Sequence, residues 1–78
     1  MSFIVYSKDG CPHCTKVVQL LQLSEMRHVE YKLERDFTKS EFIEEFGQGS
    51  TFPQVVVDDT RIGGCTETVE YLRERKII

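Results

Sequence analysis

Residues 3–21 read FIVYSKDGCPHCTKVVQLL, and this stretch decides how the chain begins to fold. Its first four residues are apolar and predict a buried strand, and the Ser-Lys-Asp-Gly that follows predicts a turn. From Pro12 onward the apolar spacing predicts a helix over roughly residues 12–24, and proline suits the first helical position because it has no N–H that needs a partner. The turn therefore brings Cys11 and Cys14 to the start of a helix.

Two thiols at this spacing can interconvert between a dithiol and a disulfide, so the motif indicates thiol redox chemistry. An unperturbed thiol has a pKa near 8.5 and is only about 3% thiolate at neutral pH. The free N–H groups and the positive dipole at the helix start favour a thiolate on Cys11, and Lys8 is a second candidate source of positive charge. Cys14 shares an apolar helix face with Val18 and Leu21, so it is predicted to point toward the core and to act as the resolving thiol.

The composition is that of one small domain covering residues 1–78. Its net charge of −3 and the absence of a long basic run argue against a nucleic-acid partner. No apolar stretch reaches bilayer length, and the N-terminus leads into a strand without an export leader, so we expect no membrane partner and a cytoplasmic location. Three cysteines are too few for a disulfide scaffold, which favours a redox or metal-binding role.

Local patterns also predict the next two elements. The alternating apolar and charged residues 29–34 predict a strand with one solvent-facing side. Thr38 and Glu41 have the spacing of a capping box, so a second helix should begin there. We expect this helix to carry the apolar residues Phe42, Ile43 and Phe46 and to end at Gly47.

Residues 54–62 read QVVVDDTRI and predict a β-hairpin that turns at its central Asp-Asp pair. Thr66 is the predicted N-cap of a last helix, with Val69 and Leu72 directed inward. The resulting order is β-α-β-α-β-β-α. It implies an α/β fold in which a four-stranded mixed sheet has helices on both faces.

Three motifs occur in order along the chain: Cys11-Pro12-His13-Cys14 after the first strand, Thr51-Phe52-Pro53 before the hairpin, and Gly63-Gly64-Cys65 before the last helix. With these motifs at these spacings, the chain resembles the glutaredoxins, members of the thioredoxin fold, over nearly its whole length. That resemblance implies a four-stranded mixed sheet flanked by three helices. It also implies a glutathione site in the groove between the three motifs.

The resemblance assigns a role to each residue of that groove. Cys11 would bond the glutathione sulfur, and the backbone of Phe52, preceding a cis Pro53, would pair with the tripeptide as an added strand. Lys8 matches a basic position that receives a glutathione carboxylate. The other positions implied to bind glutathione are His13, Thr51, Gly64, Cys65, Thr66 and Glu67.

The chain departs from the family pattern at three places. His13 stands where the family usually has tyrosine. Thr66 replaces the aspartate that commonly follows Gly-Gly-x, so recognition of the glutamyl amine either passes to Glu67 or is weaker. Ser40 stands where some members carry a glutamine, and whether the neighbouring Lys39 substitutes for it is open.

By the same resemblance, Cys11 attacks a disulfide-bonded or glutathionylated protein, and glutathione or Cys14 then resolves the mixed disulfide. Glutathione is the implied co-substrate, and no metal cofactor is expected. The implied partners are disulfide-containing or glutathionylated client proteins, for example ribonucleotide reductase. We expect the protein to be a monomer.

Several alternatives stay open at this point. Cys11 and Cys14 could form half of a zinc site completed by His13, His28 or Cys65, although no second CxxC or CxxH is present. The Pro-His dipeptide resembles that of strongly oxidising thiol oxidases, and two chains sharing a cluster through Cys11 and glutathione would form an iron–sulfur carrier. His13 either tunes Cys11 or is a spectator. Cys65 is either a half-buried small residue or a third reactive thiol.

Overall fold

Seven elements follow one another in the predicted β-α-β-α-β-β-α order in a computed structural model that describes all residues, 1–78. They are β1 (Phe3–Ser7), α1 (Pro12–Leu23), β2 (His28–Lys32), α2 (Lys39–Phe46), β3 (Gln54–Val57), β4 (Thr60–Gly63) and α3 (Cys65–Glu74). The first helix is thus confirmed, with its end one residue earlier than predicted. None of the three helices combines the length and apolar character needed to cross a membrane.

The four strands form one mixed sheet in the order β2-β1-β3-β4, which confirms the predicted architecture. β1 runs parallel to β2 and antiparallel to β3, and β3 pairs antiparallel with β4. The hairpin turns at Asp58 and Asp59, whose φ angles of 45° and 71° lie in the left-handed region that a two-residue type I′ turn requires. Aspartate enters this region more readily than most side chains, so the Asp-Asp pair can form the turn.

The main core lies between the sheet and the α1–α3 pair. Cys14 is 2% exposed on this side of α1, so its predicted inward orientation is confirmed. On α3, Leu72 is buried as predicted, but Thr68 takes the second buried place and Val69 is only half-buried. Burial contributes about 1.5–3 kcal/mol for each large apolar side chain. The fully buried cluster consists of Phe3, Val5, Val17, Leu21, Val55, Val57 and Leu72.

α2 lies on the opposite face of the sheet, where aromatic rings make the contacts. Tyr6 of β1 packs against Phe46 of α2 with the ring centroids 5.0 Å apart. The helix begins at the predicted capping box, in which Thr38 and Glu41 each accept the other's backbone N–H, and ends at Gly47. This small second core is almost entirely aromatic.

The burial of β2 contradicts the expectation that its apolar side is the covered one. Val29 and Tyr31 are 46% and 37% exposed, whereas Glu30 and Lys32 are partly buried. Tyr31 pairs with Tyr6, which places the apolar side of β2 on the α2 face of the sheet. β2 is an edge strand, and the eight-residue α2 is too short to cover this face as far as the edge.

The start of α3 also differs from the prediction, because Thr66 is not its N-cap. The helix begins at Cys65 with Gly64 as the N-cap, and Thr66 is an exposed residue of the first turn. The Glu67 carboxylate accepts the Gly64 N–H at 2.8 Å, and the Thr68 hydroxyl donates to the Gly64 carbonyl oxygen at 2.8 Å. The side chains of Glu67 and Thr68 therefore satisfy the backbone N–H and carbonyl oxygen of Gly64 at the helix start, and a cap from Thr66 is not needed.

Candidate active site

The Cys11–Cys14 pair forms a disulfide at the start of α1, with the two Cα atoms 5.3 Å apart. Cys11 is the half-buried N-cap residue, whereas Cys14 is only 2% exposed. The Cys14 N–H donates to the Cys11 sulfur over 3.2 Å. An external sulfur therefore reaches Cys11 more easily than Cys14, and a backbone donor already points at the Cys11 sulfur.

Two side-chain contacts tie the segment before Cys11 to β2. Ser7 is fully buried and donates from its hydroxyl to the Glu30 carboxylate at 2.7 Å. The Lys32 ammonium donates to the Asp9 carboxylate at 2.9 Å, and this hydrogen bond, together with the charge of Lys32, lowers the pKa of Asp9 below its usual range. The buried Ser7–Glu30 hydrogen bond thus fixes the end of β1 from which the turn to Cys11 leads, and the exposed Lys32–Asp9 pair adds little to this.

A cavity of about 200 Å³ lies beside the CxxC motif. Three distant parts of the sequence form it: the first turn of α1, the segment before β3 and the start of α3. All eight residues that line it are positions that the family resemblance implied to bind glutathione. They are His13, Thr51, Phe52, Pro53, Gly64, Cys65, Thr66 and Glu67. We call this space the catalytic cavity.

The wall of the catalytic cavity includes backbone that is free to pair. The Phe52–Pro53 peptide bond is cis, as the resemblance implied. β3 begins only at Gln54, and the backbone N–H and C=O of Phe52 have no hydrogen-bond partner in the protein. An extended peptide in the cavity can therefore pair with Phe52 as an additional strand would.

The glycine pair before α3 allows a close approach on the opposite wall. Gly63 has a φ of 111°, and a Cβ there would lie 2.8 Å from Cγ of Glu67. A Cβ on Gly64 would lie 3.3 Å from the Pro53 carbonyl oxygen. A side chain at position 64 would thus press on the Pro53 segment, whereas one at position 63 would meet the Glu67 side chain of the same segment.

Lys8, the remaining predicted position, lines an adjoining cavity of about 330 Å³. Its ammonium lies 5.4 Å from the centroid of the Phe52 ring, and that ring lines both cavities. Lys39 shares the cavity with Lys8, whereas Ser40 is exposed and does not line it. Sequence reasoning missed three loop residues of this wall, which no local pattern marks: Gln48, Gly49 and Ser50.

The structure does not assemble the alternative zinc site. No group of three or more His, Cys, Asp or Glu side chains is arranged to hold a metal ion. His28 pairs with Phe3 at the end of the sheet away from Cys11, and its Nδ1 lies 2.8 Å from the Met26 carbonyl oxygen. Cys65 is a free, half-buried thiol in the wall of the catalytic cavity.

Comparison with known proteins agrees with this geometry. A family model described as Glutaredoxin matches residues 3–62. A glutaredoxin of Vernicia fordii is 38% identical over 81 residues, which cover 99% of this chain and 77% of that protein. The structure of reduced Escherichia coli glutaredoxin shares the fold, with a TM-score of 0.81 at 20% identity over 100% of both chains. A buckwheat glutaredoxin–glutathione complex has a TM-score of 0.78 at 26% identity, covering 96% of this chain and 71% of that one. The family model spans most of the sequence, including the CxxC motif and the proline segment, so the chain belongs to the glutaredoxin family of thiol–disulfide oxidoreductases.

Proposed function

We propose that this protein uses glutathione to reduce protein disulfides and glutathione mixed disulfides through Cys11 and Cys14. The observation that carries the proposal is the accessible Cys11 sulfur beside a cavity whose Phe52 backbone is unpaired. A tripeptide thiol that pairs with this backbone would present its sulfur to Cys11. The proposal places the reaction in the cytoplasm, where thiols are kept reduced, and takes the protein to act as a monomer.

The charges around the catalytic cavity suit a ligand that has a carboxylate at one end and an amine together with a carboxylate at the other. Lys8 and Lys39 line the adjoining cavity, and neither forms a salt bridge, although the chain as a whole carries a net charge of −3. At the other end, Glu67 lines the wall and has one carboxylate oxygen engaged by the Gly64 N–H. The glycyl carboxylate of glutathione would thus lie toward the lysines and the glutamyl amine toward Glu67.

For a glutathionylated client, the reaction needs only one protein thiol. The Cys11 thiolate attacks the glutathione sulfur, the client–glutathione S–S bond breaks, and the client leaves as a thiolate that takes up a proton. A second glutathione thiolate then attacks the bound glutathione sulfur, which releases glutathione disulfide and restores Cys11. The net reaction converts the mixed disulfide and one glutathione into a client thiol and glutathione disulfide.

For a client with an internal disulfide, Cys14 completes the reaction. Cys11 attacks one client sulfur and releases the other as a thiol. Cys14 then attacks the Cys11 sulfur, which frees the second client thiol and closes the Cys11–Cys14 disulfide present in this structure. Two glutathione molecules return the pair to the dithiol and leave as glutathione disulfide. An enzyme that forms an internal disulfide in every turnover, such as ribonucleotide reductase, is a proposed client.

The pKa of Cys11 in the reduced protein should lie well below the ordinary thiol value of about 8.5. The helix start and the Cys14 N–H, 3.2 Å from the Cys11 sulfur, both favour the thiolate. Titration of thiolate ultraviolet absorbance would measure it in a Cys14→Ser/Cys65→Ser protein, in which Cys11 is the only thiol. The matched control is Cys11→Ser/Cys65→Ser, which leaves only the buried Cys14 and should titrate higher. A Cys11 pKa of about 8.5 or more would contradict the proposed activation.

A coupled assay tests the choice of reductant directly. With a glutathione mixed disulfide as substrate, glutathione plus glutathione reductase should support turnover, and thioredoxin reductase should not. Cys11→Ser protein provides the blank. Turnover with thioredoxin reductase alone would overturn the proposed glutathione dependence while leaving the thiol–disulfide chemistry intact.

A further inference from the structure

α2 and the sheet form a second cleft, of about 270 Å³, outside the catalytic cavity. Its lining combines four aromatic rings with three carboxylates and contains no basic residue. We call it the aromatic–acidic cleft, and its lining residues are Tyr6, Tyr31, Asp36, Phe37, Glu41, Phe42 and Glu45. An apolar pocket would suit a neutral group, but aromatic faces together with carboxylates suit a cation.

The aromatic walls are held in place by their mutual contacts. The centroid of the Tyr6 ring lies 5.3 Å from that of Phe37 and 5.7 Å from that of Tyr31, with the rings edge to face. Phe37 in turn stacks on Phe42 at 5.8 Å. The faces of such rings carry negative electrostatic potential, so a preformed group of rings attracts a cation without reorganisation.

Each carboxylate of the cleft uses only one of its oxygens within the protein. Glu41 Oε1 accepts the Thr38 N–H, Asp36 Oδ2 accepts from Arg35, and Glu45 Oε1 lies 3.1 Å from Arg61. The two arginines belong to exposed ion pairs, which are weak and exchangeable. The other three carboxylate oxygens have no hydrogen-bond or ion-pair partner within the protein.

Just outside the lining of the cleft, the protein already holds one guanidinium by the same chemistry. Arg61 pairs with Glu45 and lies 5.3 Å from the centroid of the Phe46 ring. Burial, and secondly the negative charge of Glu45, raise the pKa of the Tyr6 phenol. The charge of Glu45 therefore acts on Tyr6, on the sheet wall of the cleft.

The cleft is linked through shared wall residues to the cavity beside the CxxC motif. Phe42 lines both this cleft and the Lys8 cavity, and its ring stacks on Phe52 with centroids 4.1 Å apart. Phe52 lines the catalytic cavity, so three consecutive cavities share their walls. A polypeptide attached to Cys11 and extended along these shared walls, at about 3.3–3.6 Å per residue, would pass the Phe52–Phe42 stack on its way to the cleft.

We propose that the aromatic–acidic cleft binds an arginine or lysine side chain of a client polypeptide while the client's sulfur is at Cys11. The client part of this proposal rests on the proposed function, whereas binding of the cation does not. The cleft would then select protein clients that carry a basic residue a few positions from the reacting cysteine. Glutathione mixed disulfides of small molecules would not use it.

Binding can be tested on the oxidised protein, in which no redox step intervenes. The chain has no tryptophan and three tyrosines, two of which line the cleft, so tyrosine fluorescence reports its occupancy. Nα-acetyl-arginine amide should bind about tenfold more tightly than the neutral isostere Nα-acetyl-citrulline amide. Glu45→Gln should weaken arginine binding severalfold. Glu44→Gln, on the same helix but outside the lining, is the matched control and should change nothing.

A kinetic comparison tests the role of the cleft in client selection. The substrates are two disulfide peptides that differ only in carrying arginine or citrulline four residues from the cysteine. The kcat/KM should be severalfold higher for the arginine peptide than for the citrulline peptide. That preference should vanish in Glu45→Gln and persist in Glu44→Gln. Equal binding of the two amides, or equal effects of the two glutamine variants, would overturn the proposal. If the unsubstituted protein did not turn over small glutathione mixed disulfides, the proposed function would be refuted instead. The binding experiment would still decide whether the cleft binds a cation.

Discussion

Cys11→Ser should abolish reduction of both glutathione mixed disulfides and protein disulfides, with a loss of roughly 10³-fold or more. Cys11 carries the only motif sulfur that an external disulfide can approach, because Cys14 is 2% exposed. Serine keeps the size of the side chain but has no thiolate to offer. Initial rates with a small glutathione mixed disulfide and with an insulin-like protein disulfide would measure the two losses.

Cys14→Ser should separate the two substrate classes. A small mixed disulfide at Cys11 is open to glutathione from solvent, so much of this activity should remain. A bulky client shields its sulfur, whereas Cys14 lies one helical turn away, with its Cα 5.3 Å from that of Cys11, and has a large effective concentration. Reduction of protein disulfides should therefore fall steeply.

Cys65→Ser is the matched control for both cysteine variants. Cys65 is a free thiol in the wall of the catalytic cavity, and the proposed mechanism gives it no chemical step. The substitution should therefore not reproduce the loss seen with either motif cysteine, and any effect on glutathione binding should fall on both activities alike. If it produced the same selective loss as Cys14→Ser, Cys65 would be the resolving thiol.

Leu72→Ala should destabilise the protein by about 2–5 kcal/mol, the range for a fully buried leucine. Leu72 is 0% exposed and belongs to the core cluster that joins α3 to the sheet. A domain of this size has a free energy of unfolding of only about 4–12 kcal/mol, so the change removes a large part of it. Urea denaturation would measure the loss.

Leu23→Ala is the control for the core variant, because it makes the same chemical change at a side chain that is 83% exposed. Its effect on the free energy of unfolding should stay within about 0.5 kcal/mol. Similar losses for the two variants would mean that α3 is not held to the sheet by the packing described above.

Local sequence determined most of the element order, because each element carries its own start and stop signals. Pro12 after the turn begins α1, the Thr38–Glu41 capping box begins α2, and an Asp-Asp pair turns the hairpin. These signals act between residues at most four positions apart, so they can be recognised without the fold. The position of the redox pair at the start of a helix follows from the same short-range signals.

Tertiary structure decided which residues meet and which side of an element is covered. Val29 and Tyr31 alternate as a buried strand would, yet they are exposed because β2 is an edge strand that α2 does not fully cover. The N-cap of α3 moved to Gly64 because Glu67 reaches back to its N–H.

The three cavities discussed above depend on the fold in the same way. Residues from separate elements line each of them: the catalytic cavity, the adjoining cavity that Lys8 and Lys39 share, and the aromatic–acidic cleft. Sequence patterns report on neighbours along the chain, whereas burial and cavity walls depend on what packs against an element from elsewhere. The chemistry of this protein could therefore be predicted from its sequence, but the surfaces that would choose its substrates became visible only in the folded chain.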